Sequence, residues 1–239
     1  MTSRRLSCPF RKIIISMKKI KGSYLIAIIL LFTLTSAVHK KTRVLIIGDS
    51  ISIGYTPSVK QSLVEKANVW HNPGNGKFTG NGLEKLEEWI GQGKWDIIQV
   101  NWGLWDLCYI HPDSKSQGNR DKVNGKVRTP IDDYAANLEA LIHLIKKKSN
   151  AKIIFVTTTV VPGNEAGRFP EDVIRYNDVA KRIMKKNNVV VNDIYTASIA
   201  IHEKLGLGED DVHYTPKGYV ELGKLITQFL EKEIDSLKN

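Results

Sequence analysis

Short, largely β-branched apolar runs alternate along this chain with longer stretches whose apolar residues recur every three or four positions. The runs at residues 44–47, 69–71, 96–101, 152–156 and 189–191 read as five strands. Helical spacing follows each of them. It predicts helices over residues 57–66, around Leu83, Leu86 and Ile90, over 131–148 with Leu138, Leu141, Ile142 and Ile145 on one face, and over 172–186 and 194–204. A closing helix is expected over 216–237, with Thr215 as N-cap and Pro216 in its first turn. Residues 102–130 show neither period and read as a long loop, and the threonines at 157–159 can extend the fourth strand. Strands alternating with helices imply a parallel sheet covered on both faces. The expected fold is therefore α/β, a single doubly wound domain with a five-stranded parallel sheet flanked by helices, in the flavodoxin-like manner.

Charge changes the picture at the amino end. The chain of 239 residues carries a formal net charge of +10. Residues 1–37 contain seven of the 35 basic residues (Arg4, Arg5, Arg11, Lys12, Lys18, Lys19, Lys21) and no acid. The remainder, with 28 basic against 25 acidic residues, is nearly balanced, which removes the main argument for a nucleic-acid partner. Lys18, Lys19 and Lys21 precede an apolar run at 24–34 that ends in Thr35, Ser36 and Ala37, the build of a secretory signal peptide. Residues 1–37 are thus expected to be a leader, with Met17 the better translation start, and 38–239 the catalytic domain of an exported (periplasmic or secreted) protein. The membrane enters only through the leader, if it stays uncleaved. Cys8 falls in the leader, leaving Cys108 without an internal disulfide partner in the rest of the chain; its apolar setting favours an inert thiol.

Candidate chemistry gathers at the strand ends. Gly48-Asp49-Ser50 breaks the first strand and leads into a helix, so the Ser50 hydroxyl stands at the carboxyl edge of the sheet, where backbone N–H groups of the following turn are free. Ser50 on its own is equally a helix cap. Far down the chain, Asp210 and His213 are spaced so that a turn or short helix puts both on one side, with Asp211 more often pointing away. Loops after the other strands bring residues 72–76, 101–106 and 157–162 to the same edge. The histidines His39, His71, His111, His143 and His202 share no metal-ligand spacing, and the glycines of residues 74–82 lack the pattern of a nucleotide loop, so neither metal nor cofactor is expected.

Gly48-Asp49-Ser50 near the start and Asp210 with His213 before a closing helix together resemble the SGNH (GDSL-type) hydrolases, over about residues 43–230. That resemblance implies a Ser–His–Asp hydrolase with Ser50 as nucleophile, His213 as base and Asp210 orienting it. Its second motif resembles residues 72–77 and implies oxyanion donors at Ser50 and Gly76 or Lys77. In its third motif, Gly103-Leu104-Trp105-Asp106, Trp105 replaces the usual asparagine, leaving Asn101 or Trp105 as the further oxyanion donor. Trp102, Trp105 and Tyr109 are expected at the mouth as a substrate platform. The expected function is an exported esterase acting on a small-molecule or glycan ester. An acyltransferase with the same triad, or a catalytically silent glycan-binding module, are the rivals.

Overall fold

The computed structural model describes residues 40–237. Its sheet has five parallel strands in the order β2-β1-β3-β6-β7: β1 (Thr42–Ile47), β2 (Ala67–His71), β3 (Ile97–Val100), β6 (Lys152–Val156) and β7 (Val190–Asn192). The central position of β1 follows from its sequence. Val44, Leu45, Ile46 and Ile47 are apolar on both sides of the pleat, and all four are buried between covering helices. Each such side chain contributes about 1.5–3 kcal/mol on burial. Register runs Val44 to Val69 and Val44 to Ile97, so the ends of β1, β2 and β3 lie side by side at one edge.

The helices are α1 (Ser50–Ser62), α2 (Thr79–Ile90), α3 (Ile131–Lys148), α4 (Pro170–Lys186), α5 (Tyr195–Leu205) and α6 (Pro216–Ser236). They pack as two groups, α1 with α6 and α5, and α3 with α2 and α4. In α3, Asp132 and Asp133 begin the helix and Lys146, Lys147 and Lys148 end it, complementing the helix dipole at both ends.

Three local expectations change. Helix α1 begins at Ser50 rather than Pro57, because the Asp49 carboxylate accepts the Ile51 N–H at 3.0 Å and caps the chain as soon as β1 ends. Pro57 therefore sits inside the helix. Thr157, Thr158 and Thr159 do not extend β6. Thr158 N–H donates to Asn177 Oδ1 at 2.8 Å, so a side chain takes the place of a sheet partner. The stretch 102–130 is built rather than open: β4 (Tyr109–Ile110) and β5 (Lys126–Val127) pair antiparallel. Backbone bonds from Tyr109 to Gly167 and from Lys122 to Ala166 tie that hairpin to the loop before α4. Fully buried Glu165, which accepts from Arg120 and Arg168, locks the junction. The predicted leader, residues 1–37, lies outside the described residues.

Candidate active site

Ser50 is the first residue of α1, and among the described residues nothing accepts its backbone N–H. Its Oγ lies 2.9 Å from Nε2 of His213, which stands three residues before α6. On the other side of the ring, Nδ1 lies 2.6 Å from Oδ1 of Asp211. A proton on Nδ1 is held by that carboxylate, which leaves Nε2 to accept from the Ser50 hydroxyl. Burial pushes the Asp211 carboxyl upward, but the backbone and ring N–H groups of His213 outweigh it and hold the group below the usual carboxylate range.

The carboxylate on His213 is thus Asp211 and not Asp210, which is exposed. The turn closes at Asp211, whose N–H donates to the Gly208 carbonyl at 3.4 Å, and residues 211–213 continue as neither turn nor helix. The facing expected of residues three apart in a turn or short helix therefore does not reach from Asp210 to His213. Asp211 Oδ1 also accepts the backbone N–H of His213 at 2.9 Å, an Asx turn that folds the side chain over its own loop. The spacing Asp-x-His is the signal for that turn.

The loop after β2 meets the nucleophile turn through backbone. Gly48 N–H donates to Asn72 Oδ1 at 2.9 Å, and Gly76 N–H donates to the Gly48 carbonyl at 2.8 Å. The approach requires glycine, since a Cβ on Gly76 would stand 2.6 Å from that oxygen. A second pairing braces the same corner. His71 Nδ1–H donates to the Asn72 carbonyl at 2.8 Å, which in the neutral ring leaves Nε2 to accept from Ser52 Oγ at 2.7 Å; that hydroxyl also lies 2.7 Å from the Asp49 carbonyl. Burial pushes the His71 imidazolium down, favouring the neutral ring. The sequence offered no reading of this brace, because it joins residues on different elements.

Several expected oxyanion donors are already engaged. Gly76 N–H is bonded to Gly48, Lys77 N–H to Asn75 Oδ1 at 2.8 Å, and one of the two Asn101 Nδ2 hydrogens to the Val156 carbonyl at 2.8 Å. Of the expected backbone donors, the Ser50 N–H, at the positive end of α1, has no acceptor among the described residues. Trp102 is fully buried with its indole directed at the Gly76 carbonyl, so it is core rather than platform. Tyr109 turns towards α4, donating to Asp172 Oδ2 at 3.1 Å with its ring edge-on to Phe169. Trp105 alone of the three aromatic residues remains partly exposed without a packing ring, and it carries the Arg128 guanidinium over its face.

Beneath Ser50, Asp49 is wholly buried, and burial raises its carboxyl to about 6 against the pull of the Ile51 N–H and the Arg168 charge. Asp106 is raised to about 6 for the same reason, although Thr79 N–H and Oγ donate to it at 3.0 and 2.5 Å. No group of three or more His, Cys, Asp or Glu side chains among the described residues is arranged to hold a metal ion.

A parallel α/β sheet with a serine at the first helix N-terminus, hydrogen-bonded to a histidine that a carboxylate orients, defines a protein of the hydrolase class. Residues 46–220 match the GDSL-like Lipase/Acylhydrolase family. The chain belongs to that family and is an ester-hydrolysing enzyme. It is 23% identical over 221 residues to an arylesterase of Vibrio mimicus, covering 88% of this chain and 98% of that one. Among solved structures, the lipase/acylhydrolase from Enterococcus faecalis superposes with a TM-score of 0.64 at 22% identity, covering 80% of this chain and 96% of that one. An acetylxylan esterase from Geobacillus stearothermophilus gives 0.61 at 19% identity, covering 80% and 94%.

Proposed function

We propose that the protein is an exported serine esterase that removes an acyl group from a carbohydrate through an acyl-enzyme. The observation that carries the mechanism is the relay from Ser50 Oγ through the His213 ring to Asp211, beside a Ser50 N–H that has no acceptor among the described residues. Ser50 Oγ attacks the ester carbonyl carbon as His213 Nε2 takes the hydroxyl proton, and Asp211 stabilises the imidazolium that forms. The developing oxyanion is held by the Ser50 N–H at the α1 terminus. His213 returns the proton to the departing alkoxide. Water, deprotonated by the same nitrogen, then attacks the acyl-enzyme carbonyl, and Ser50 is released with its proton restored.

The carbohydrate is supported by the acetylxylan esterases among the structural relatives and by the partly exposed Trp105 ring at the strand-end crevice. Export is supported by the basic start and apolar run of the leader. One measurement tests both mechanism and export: the intact mass of protein recovered from the exported fraction of a bacterial host after treatment with a fluorophosphonate. The expected species lacks residues 1–37 and carries one adduct, at Ser50, which Ser50→Ala abolishes together with turnover. Adducts at another serine refute the nucleophile, and a retained leader in a membrane fraction refutes release. Loss of a triad serine lowers turnover by about a millionfold.

A further inference from the structure

Arg128 follows β5 and places its guanidinium between two rings of the strand-end crevice, 5.0 Å from the centroid of Phe78 and 5.7 Å from that of Trp105. Phe78 ends the turn that follows β2, two residues after Gly76. Trp105 lies on the loop after β3. The Asp106–Thr79 bonds hold those two loops together, so the cation sits on a fixed frame beside the nucleophile turn.

Among the described residues, nothing accepts from this guanidinium, and its Nε is buried without a partner. The neighbouring arginines differ. Arg120 and Arg168 both reach Glu165, and Arg175 pairs with Asp172 at 2.8 Å. Burial pushes the Cys108 thiol up, and Arg168, Arg128 and Arg120 stand close enough to oppose it while Glu165 adds to it; of these three cations the Glu165 carboxylate pairs with Arg168 and Arg120 and not with Arg128. A sandwich alone is not the signal, since Arg43 lies between Trp70 and Trp95 at the opposite edge of the sheet. There the Nε is likewise buried without a partner and Asp96 accepts only the Arg43 backbone N–H, at 2.7 Å, so what sets Arg128 apart is its place among the strand-end loops. At Arg128 the cation lies over rings of the loops after β2 and β3, and among the described residues it has no ion pair.

We propose that Arg128, stacked between Phe78 and Trp105, forms a subsite for a carboxylate borne by the ester substrate, as on an acidic sugar. The inference rests on the reading of Ser50 as the reacting group. The rings hold the guanidinium carbon, and the planar N–H fork of an arginine matches a bidentate carboxylate acceptor. A substrate carboxylate would supply the acceptor that the protein withholds.

The test compares a neutral aryl acetate with the same ester bearing a ring carboxylate, on the mature enzyme and its Arg128→Gln and Arg128→Lys variants. The ratio of kcat/KM for the charged over the neutral ester should fall by about 10- to 100-fold in Arg128→Gln, the worth of one charged hydrogen-bonded contact. It should fall less in Arg128→Lys, which keeps the charge without the fork. Glucuronate should inhibit the wild-type enzyme competitively where glucose does not, a reading that needs no variant to fold. An unchanged ratio, equal losses on both esters, or equal inhibition by the two sugars overturns the subsite. Activity on the neutral ester with adduct formation at Ser50 keeps a failure here distinct from a failure of the nucleophile.

Discussion

Two adjacent acids, Asp210 and Asp211, differ in what a loop lets them reach. Asp211 Oδ1 holds both the backbone N–H and Nδ1 of His213, while Asp210 is exposed. Asp211→Ala should lower kcat by about ten-thousandfold, the cost of losing the group that fixes the imidazole tautomer. Asp210→Ala should leave kcat near wild type. Steady-state kinetics on one activated ester decides it, and the reverse ranking refutes the assignment of Asp211. The legible part of this site was the residue types and their order along the chain. Which of two neighbouring carboxylates turned inward was fixed by the Asx turn, which depends on backbone angles that the letters do not specify.

At the scale of elements, α1 and α6 carry Ser50 and follow His213, so their packing sets the spacing of the pair. They approach closely through small residues. A Cβ on Gly54 would fall 2.2 to 2.4 Å from the Tyr219 ring, and one on Gly223 would fall 2.9 Å from Ser58. Gly54→Ala sets two effects against each other. Alanine gains up to about 1 kcal/mol of helix propensity, while overpacking costs about 1–3 kcal/mol. The overlap is with a ring that is itself packed against Tyr214, so relief by rotation is limited. The variant should be less stable than wild type by chemical denaturation; a gain in stability would mean that Tyr219 moves aside freely.

Across the whole molecule, two buried carboxyls make stability depend on pH. Asp49 and Asp106 are raised from 3.8 to about 6 because burial penalises their charged forms. Between about pH 4 and pH 6 the folded state keeps protons that the unfolded state has lost. Stability therefore falls as pH rises through that window and stays lower above it. Asp211, held below the ordinary range, acts the other way, but only in more acidic solution. In Asp49→Asn, which keeps a capping side chain, and in Asp106→Asn, the fall between pH 4 and 6 should be shallower than in wild type. Urea unfolding at several pH values measures this, and identical slopes would show that neither carboxyl carries the titration.

The sequence by itself determined the alternation of strands and helices, the burial of β1 and the carboxyl-edge position of Ser50, because apolar period and turn chemistry act over a few residues. It also carried the family, through Gly48-Asp49-Ser50 and a distant histidine before the last helix. Tertiary structure alone decided what each polar group is bonded to. Gly76 had the chemistry of an oxyanion donor, yet its N–H is taken by the Gly48 carbonyl, and one Asn101 side-chain N–H is taken by the Val156 carbonyl. Trp102, expected at the mouth, is fully buried. The Ser52–His71 brace and the Arg128 sandwich join residues 19 to 50 positions apart. Hydrogen bonds and stacking of that kind are short-ranged in space and indifferent to distance along the chain, so they exist only once the sheet has brought its loops together.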